Sequence, residues 1–188
     1  HGGHCELEYS GLEVPDENRL GEVGQGLKIV QIRLGLARLT HCMRWIGLSR
    51  RSLEIALDYV SHREGFGVKL ADRESVQIKL GNAAMDIDIA RLLVMRAAWK
   101  IENGSKSRQD VSMAKIHVAD TLNKVCDTAI QLNGAKGYSK DTILEWIYRY
   151  ARQAKLVDGA SEVHQMIINR FFNNYKSDFW HWGVGHDI

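Results

Sequence analysis

Apolar residues recur at steps of three and four along most of the chain, which is the spacing of one helix face. The clearest run lies within residues 76–101, where the two steps alternate and form a heptad seam rich in alanine. Such a seam predicts a helix that packs at a shallow angle against its neighbours in a left-handed bundle. A similar run over residues 111–132 predicts a second helix of this kind.

A longer helix is predicted before these two, over residues 27–64, with Gly35 as the place where it could break. The residues expected on its buried face are Leu39, Met43, Ile46, Leu53, Leu57 and Val60. A shorter helix over residues 142–156 and a fifth helix that starts at Ser161 follow. Three long helices and a shorter fourth, joined by short polar loops, predict an all-α fold, an antiparallel up-and-down four-helix bundle.

The start of the chain has a different pattern. Cys5, Leu7 and Tyr9 alternate with two glutamates, which is typical of a half-buried strand. A lone strand needs a partner for its backbone groups, and the sequence begins without methionine, so we expect a piece of a larger polypeptide. We divide it into a remnant of a preceding domain with its linker (residues 1–22), the helical bundle (residues 23–176) and an aromatic tail (residues 177–188).

The composition restricts the class of protein. The 25 lysines and arginines nearly balance 23 aspartates and glutamates, and no basic run suggests a nucleic-acid partner. No apolar run is long enough to span a bilayer, so we expect no membrane insertion. Three scattered cysteines fit a reducing compartment such as the cytoplasm. No pair of cysteines or histidines has the spacing of a metal site, and we expect no metal.

Three short motifs could carry chemistry. Asp158-Gly159 lies between two helices, where the glycine suits a helix stop and the aspartate is either a cap or a functional acid. Residues 63–67 end the first helix with an arginine that could clamp a phosphate or merely complement the helix dipole. Residues 131–138 could bring backbone amides close to a cofactor or form an ordinary helix end. Taken singly, each motif favours the structural interpretation.

Together, and in this order on a helical bundle, the motifs resemble the carboxy-terminal half of the acyl-CoA dehydrogenase family. The family signatures Arg-x-x-Phe-Gly, Gln-x-x-Gly-Gly-x-Gly-(Tyr/Phe) and Glu-Gly-Thr-Ser-Glu correspond here to residues 63–67, 131–138 and 158–162. The resemblance covers essentially the whole chain and implies that residues 1–22 come from the family's central β-domain. It also implies a flavoenzyme, in which FAD takes a hydride from the β-carbon of an acyl-CoA thioester while a carboxylate removes the α-proton.

The resemblance assigns roles to individual residues. Asp158 takes the place of the catalytic base, and Arg38 and Gly159 fall at positions that hold the acyl-CoA substrate. Arg63 and Phe66 match residues that reach the FAD pyrophosphate of a neighbouring subunit. The other positions that the resemblance assigns to FAD binding are Glu74, Gln131, Gly134, Ala135, Ala160, Ser161 and Glu162.

Three of these residues depart from the family pattern. Asp158 is one methylene shorter than the usual glutamate, Ala160 replaces a threonine that contacts the flavin, and Glu74 stands where glutamine is usual. With Glu162-Val163-His164 and the run at residues 41–47, Asp158 makes the chain most similar to the family members numbered ten and eleven. Nitroalkane oxidases, which also carry an aspartate at this position, are the runner-up.

The resemblance further implies partners and a setting. These are an acyl-CoA substrate, a second flavoprotein as electron acceptor, and a homodimer or homotetramer with FAD sites shared between subunits, in fatty-acid or related acyl catabolism. In a eukaryote the compartment would be the mitochondrial or peroxisomal matrix. The family's other domains hold the flavin ring and much of the acyl pocket, so we expect this chain to be inactive alone. The contrasting interpretation is a helical oligomerisation module without chemistry.

Overall fold

The computed structural model describes residues 5–175 and residue 180, which fall into two compact units, one reaching to Arg33 and one starting at Leu34. In the first unit, residues 5–15 are exposed and form no helix or strand, and a 3-10 turn spans Asp16–Asn18. The strand predicted at residues 5–9 is therefore wrong. A strand needs a ladder partner, and the two strands among the described residues pair with each other. Most of the predicted tail, residues 177–179 and 181–188, lies outside the described residues.

Helix α1 (Gly26–His62) is continuous and has no break at Gly35. A single glycine weakens a helix by about 1 kcal/mol, but it keeps the backbone N–H and C=O that continue the helix. The predicted buried face is confirmed at Leu39 and Val60, and it is wrong at Met43 and Leu57, which are 62% and 46% exposed. The buried residues of α1 are Leu39, Cys42, Trp45, Ser49, Ser52, Ala56 and Val60.

Two serines on the buried face of α1 explain why periodicity alone misplaced that face. The hydroxyl of Ser49 donates to the Trp45 carbonyl at 2.8 Å, and the hydroxyl of Ser52 donates to the Leu48 carbonyl at 2.9 Å. Each polar group is satisfied within its own helix, so the serine can be buried at little cost. Small side chains therefore share the buried face of α1, while larger apolar residues on other faces stay exposed.

A short β-hairpin reverses the chain after α1. Strands β1 (Glu64–Gly65) and β2 (Val68–Lys69) are antiparallel and are joined by Phe66 and Gly67. Both connecting residues have positive φ, 54° and 79°, as a two-residue type I′ turn requires. The predicted helix over residues 27–64 therefore ends two residues early, and the hairpin leads through a 3-10 turn (Leu70–Asp72) into the next helix.

Helices α2 (Glu74–Glu102) and α3 (Arg108–Asn133) form the centre of the second unit. The predicted heptad seam of α2 is confirmed, because Val76, Ala83, Ala90, Val94 and Ala97 are buried. On α3 the predicted seam is also confirmed by the burial of Val111, Ala114, Val118, Leu122, Val125, Ala129 and Leu132. Helix α3 packs against α2 and against the helices that follow it, so it is the central element of the core.

Three shorter helices complete the all-α fold: α4 (Ala135–Tyr138), α5 (Leu144–Ala151) and α6 (Ser161–Tyr175). The helix predicted over residues 142–156 is shorter than expected and continues as a 3-10 turn, Arg152–Lys155. Leu144, Ile147 and Ala151 of α5 are fully buried against α3, while α6 buries His164 and Ile167. Within the described part of the chain, no helix combines the length and apolar character needed to cross a membrane.

Gly137 packs against its own chain. An added Cβ there would lie 2.7 Å from the Ile130 carbonyl oxygen and 2.9 Å from the Ile130 Cα, both backbone atoms that cannot move aside cheaply. Gly134, with φ at 57°, ends α3 and allows this fold-back. The glycines of the 131–138 motif therefore have a structural use in the turn between α3 and α4.

We predict that Gly137→Ala lowers the free energy of unfolding by about 1–3 kcal/mol, the usual cost of overpacking. The matched control is Gly81→Ala. Gly81 is an exposed residue in the middle of α2, and an added Cβ there meets nothing within 4 Å. This control should raise stability by about 0.5–1 kcal/mol, because alanine favours a helix. Urea denaturation of both variants measures the difference, and a Gly137→Ala protein as stable as the parent would contradict the close approach.

Candidate functional site

The Asp158-Gly159 turn has an unusual backbone. It lies between the 3-10 turn Arg152–Lys155 and the start of α6 at Ser161. Asp158 has φ at 53° and Gly159 has φ at 105°. Positive φ is easy for glycine and costs a non-glycine residue of order 1 kcal/mol, so the surrounding structure must impose it. A Cβ at Gly159 would also lie 3.1 Å from His164 Nε2.

Side chains from three helices fix this turn by its two carbonyl groups. Arg38 Nε, on α1, donates to the Asp158 carbonyl at 2.8 Å, and Lys115 Nζ, on α3, donates to the Gly159 carbonyl at 2.7 Å. His164 Nε2, on α6, lies 3.3 Å from the Asp158 carbonyl, while its Nδ1 lies 3.0 Å from the Ser112 hydroxyl. A neutral imidazole that donates from Nε2 and accepts from Ser112 satisfies both contacts.

Two of the three donors are buried, and the third, Arg38, is half-buried. Lys115 is fully buried and His164 is 1% exposed. Burial lowers the pKa of Arg38 and the pKa of Lys115. Burial, followed by the nearby Arg38 and Lys115 cations, lowers the pKa of His164 to about 4, so this ring is neutral near pH 7. Burial also raises the pKa of the neighbouring Cys42 thiol to about 12, which argues against a thiolate nucleophile here.

The carboxylate of Asp158 makes fewer hydrogen bonds to the described residues than its backbone carbonyl does. Its side chain is 18% exposed, and Oδ2 lies 3.3 Å from Nδ1 of His41. That approach lacks hydrogen-bond alignment, and Oδ2 is a buried oxygen without a hydrogen-bond partner among the described residues. A buried carboxylate oxygen that nothing satisfies is costly, so its persistence marks a candidate functional group.

The start of α6 adds a second unsatisfied group. Ser161 Oγ is buried without a hydrogen-bond partner among the described residues, and Glu162 beside it is exposed. Ser161 and Glu162 occupy the first turn of α6, where backbone N–H groups have no partner within the helix. This end of the helix can therefore hold an anionic or polar ligand group.

The other predicted cofactor residues lie at the far end of α1. Arg63 follows α1 directly, Phe66 at the hairpin tip is fully exposed, and Glu74 begins α2. The Arg73 guanidinium lies 5.7 Å from the Phe66 ring centroid and donates to the Gly65 carbonyl at 2.6 Å, which supports the hairpin.

The end of α3 lies near this hairpin, because Val60, Val76 and Leu132 share one buried cluster. Gln131, Gly134 and Ala135 are exposed there. The predicted site residues thus form two groups. The 24-residue interval from Arg38 to His62 on α1 corresponds to about 36 Å at 1.5 Å per residue, so the Asp158 turn and the hairpin are far apart in one chain.

The sequence motifs indicate no role for His41, Lys115 or His164, nor for the Ser112 hydroxyl. A signal for Lys115 was present, because a lysine beside Ala114 falls on the apolar face of α3. Such a residue is almost never fully buried unless it has a partner. His41 and His164 belong to runs that were noted only as family likenesses, and nothing in their spacing shows that both approach Asp158.

Comparison with known proteins identifies the family of this arrangement. The model of the acyl-CoA dehydrogenase C-terminal domain matches residues 24–172. The probable acyl-CoA dehydrogenase FadE2 of Mycobacterium tuberculosis (strain ATCC 25618 / H37Rv) is 42% identical over 170 residues, which are 89% of this chain and 42% of that protein. Acyl-CoA dehydrogenase family member 11 of Gallus gallus is 39% identical over 173 residues, 91% of this chain and 22% of that protein.

A solved structure agrees with these relatives. Butyryl-CoA dehydrogenase of Megasphaera elsdenii matches with a TM-score of 0.82 and 32% identity, over 85% of this chain and 42% of that one. The predicted fold, family and likeness to member eleven are confirmed. The chain spans less than half of the length of each of these three relatives.

The site makes stability depend on pH through His164. Its pKa is about 4 in the folded protein, against about 6.5 for an unperturbed histidine, so the unfolded chain binds the extra proton first on acidification. Stability is therefore fully present above about pH 6.5 and is lost as the pH falls toward 4.

We predict that acidification from pH 7 to pH 4.5 costs the parent about 2–3 kcal/mol more than it costs His164→Gln. The matched control is His62→Gln, at a histidine that is 79% exposed, and it should keep the full pH dependence of the parent. Urea denaturation at the two pH values measures each difference. Equal pH dependence in the parent and His164→Gln would show that burial does not hold this ring neutral.

Proposed function

The chain belongs to the acyl-CoA dehydrogenase family, and we propose that it is the C-terminal domain of an FAD-dependent enzyme that forms a double bond between the α- and β-carbons of an acyl-CoA thioester. The observation that carries this proposal is the Asp158 carboxylate. Its backbone is fixed by the carbonyl contacts of three helices, while the buried Oδ2 lacks a hydrogen bond from the described residues. A base held in this way has its proton-accepting oxygen available.

Asp158 acts as the general base in this proposal. The acidic α-proton of the thioester passes to Oδ2, and the electron pair of the broken C–H bond forms the new double bond. Two features suit an aspartate to this task. The side chain has few rotatable bonds, and its backbone is held in a conformation that gives the carboxylate a defined direction. Correct placement matters, because a 1 Å error can cost on the order of 10²-fold in rate.

Arg38, Lys115 and His164 hold the base in place. All three contact the carbonyls of the turn and leave the carboxylate free to take the proton. The Arg38 guanidinium has five N–H donors, and its contact with Asp158 uses one of them. The remaining donors can bind the acyl-CoA, which agrees with the substrate position that the resemblance gives to Arg38 and to the adjacent Gly159.

FAD, when bound, accepts the hydride that leaves the β-carbon. The residues at the start of α6 fit such a group, because Ser161 Oγ is buried without a partner among the described residues and the N–H groups of Ser161 and Glu162 precede the hydrogen bonds of the helix. Ser161 and Glu162 would hold the cofactor there. Ala160 supplies only backbone contacts, because it lacks the threonine hydroxyl of the family pattern.

The distant hairpin group supports a flavin site shared between subunits. This group lies beyond the C-terminal end of α1, and the helix between Arg38 and that end is about 36 Å long. Its members are Arg63, Phe66, Glu74, Gln131, Gly134 and Ala135. One chain therefore cannot place both groups around the same part of one FAD. A homodimer or homotetramer, in which the hairpin of one subunit meets the flavin of its neighbour, uses both groups. An electron-accepting flavoprotein would be the redox partner of such an enzyme.

The test of the base is Asp158→Asn in the full-length flavoprotein. We predict that turnover with acyl-CoA falls by about 10²–10⁴-fold, the usual worth of a general base. Flavin content should stay unchanged, because asparagine keeps the backbone contacts and tolerates positive φ. Asp141→Asn, at an exposed aspartate, is the matched control and should leave turnover intact. Turnover at the parent rate in Asp158→Asn would place the base elsewhere.

The test of the hairpin group is Arg63→Glu in the same protein. An exposed arginine at a helix end contributes little to stability, so the fold should persist, while the charge reversal should release FAD. Visible absorbance of the purified protein reports the bound flavin, and Arg51→Glu, at an exposed arginine on α1, is the matched control. If Arg63→Glu retained flavin at the parent affinity, Arg63 would be only a helix-end cation.

A further inference from the structure

Arg108 is a charged residue near the site that the proposed mechanism leaves unused. It is the first residue of α3, it is exposed, and it makes no hydrogen bond or ion pair with the described residues. The start of α3 is nevertheless fixed, because the buried Asp110 meets two cations of α2. Arg96 Nε donates to Asp110 Oδ1 at 2.7 Å, and Lys100 Nζ lies 3.0 Å from Asp110 Oδ2. The fold therefore sets the position of Arg108 without giving it a partner.

The side of α3 that carries Arg108 is the one that meets the turn before α6. Arg108, Ser112 and Lys115 follow one another at steps of four and three, so they share one side of the helix. Ser112 contacts His164, and Lys115 contacts the Gly159 carbonyl. Arg108 precedes Ser112 by about 6 Å along the helix axis, roughly one turn. The Arg108 cation is therefore beside this turn and, unlike the buried Ser112 and Lys115, it is open to a ligand.

The surroundings of Arg108 disfavour a cation in the chain alone. Burial is the main cause that lowers the pKa of Arg38 and the pKa of His164, and repulsion from Arg108 adds to it in each case. The guanidinium also belongs to the first turn of α3, where the helix dipole is unfavourable for a positive charge. A cation placed against this repulsion, with no anionic partner among the described residues, is suited to bind an anion from outside the chain.

We propose that Arg108 and Arg38 bind a second carboxylate on the acyl part of the substrate, so that the enzyme acts on a dicarboxylic acyl-CoA in which one carboxyl forms the thioester and the other is free. This inference rests on the proposed function of Asp158 as the base. The Arg38 guanidinium keeps N–H donors beyond its contact with the turn, and an arginine fork matches the two oxygens of a carboxylate. The proton and hydride transfers are unchanged.

The contact between Arg38 and the base decides which part of the substrate supplies the anion. Arg38 binds the carbonyl of Asp158, and the carboxylate of Asp158 must reach the α-carbon to take its proton. An anion held by Arg38 is therefore close to the acyl carbons that react. The phosphates of CoA are at the far end of its pantetheine arm, and the proposed contact of the flavin phosphates is the hairpin group of a neighbouring subunit.

The first experiment measures binding without turnover, by calorimetry, in the full-length flavoprotein carrying Asp158→Asn. The ligands are dicarboxylic acyl-CoA thioesters from glutaryl-CoA to suberyl-CoA, and for each the carboxamide that keeps the shape of the free carboxyl and removes its charge. We expect the best acid to bind more tightly than its amide. Adding Arg108→Gln should weaken the acid by about 10–100-fold, the worth of a hydrogen bond between charged groups, and leave the amide nearly unchanged. Arg108→Lys, which keeps the charge, should restore part of the loss.

Three results would overturn the inference. One is an equal loss for acid and amide in Arg108→Gln, which would place the arginine on the CoA part. Another is the absence of a preference for the acid at every chain length. The third is release of flavin from Arg108→Gln, seen in the visible absorbance, because the arginine would then serve the cofactor. The matched control is Arg51→Gln, at an exposed arginine of α1, which should keep the preference for the acid.

The second experiment compares kcat/KM for the best acid and its amide in the full-length flavoprotein with Asp158 intact. The parent should favour the acid, and Arg108→Gln should lower the ratio of the two values by about 10–100-fold, as in binding. An equal ratio in the parent and in Arg108→Gln would reject the inference. A parent that binds the acid in preference to the amide and oxidises no acyl-CoA would contradict the proposed function alone.

Discussion

The left-handed backbone of Asp158 depends on buried hydrogen-bond donors. A non-glycine residue at φ of 53° is unfavourable in isolation, and the two carbonyls of the turn face side chains from α1, α3 and α6. Two of the contacts satisfy the Asp158 carbonyl and the third satisfies the Gly159 carbonyl. The arrangement links the strain of one residue to the packing of three helices, so the direction of the carboxylate is a property of the whole bundle.

The hydrogen bonds to this turn explain why two polar residues, Lys115 and His164, are buried in the core. Burying Lys115 costs desolvation energy, which the Gly159 carbonyl and the nearby carboxylates offset only in part, because the pKa of Lys115 stays lowered. His164 stays neutral at similar depth, with both ring nitrogens in contact with partners. The surrounding alanines and valines of α2 and α3 let the helices approach closely enough for these long side chains to reach the turn.

The helices and the family could be predicted from the sequence because local signals determine them. Two such signals can be read directly from the sequence: the heptad seams of α2 and α3, and the order of the three motifs. The prediction of which residues of α1 are buried was partly wrong. Serines that donate hydrogen bonds to carbonyls of their own helix can be buried in place of methionine and leucine. The strand at residues 5–9 was wrong, because the alternation of apolar residues cannot supply a ladder partner.

The candidate site was predictable only in part. Asp158 and Arg38 were assigned by family likeness, and the structure brings them together across 120 positions of sequence. Lys115 and His164 support the turn through carbonyl contacts, which leave no signature in spacing or composition. His41 reaches the carboxylate because it lies almost one turn after Arg38 on α1, on the side of that helix that meets the loop before α6. Such long-range contacts follow from packing and need coordinates.

The central claim is that this turn directs the Asp158 carboxylate at the α-carbon of an acyl-CoA. The most direct measurement is a crystal structure of the full-length flavoprotein with a non-reactive acyl-CoA analogue bound. The account predicts Asp158 with positive φ, its carbonyl bound by Arg38, and a carboxylate oxygen within about 3.5 Å of the α-carbon, the reach expected of a reacting pair. A different carboxylate at that carbon, with Asp158 turned away from the analogue, would contradict it.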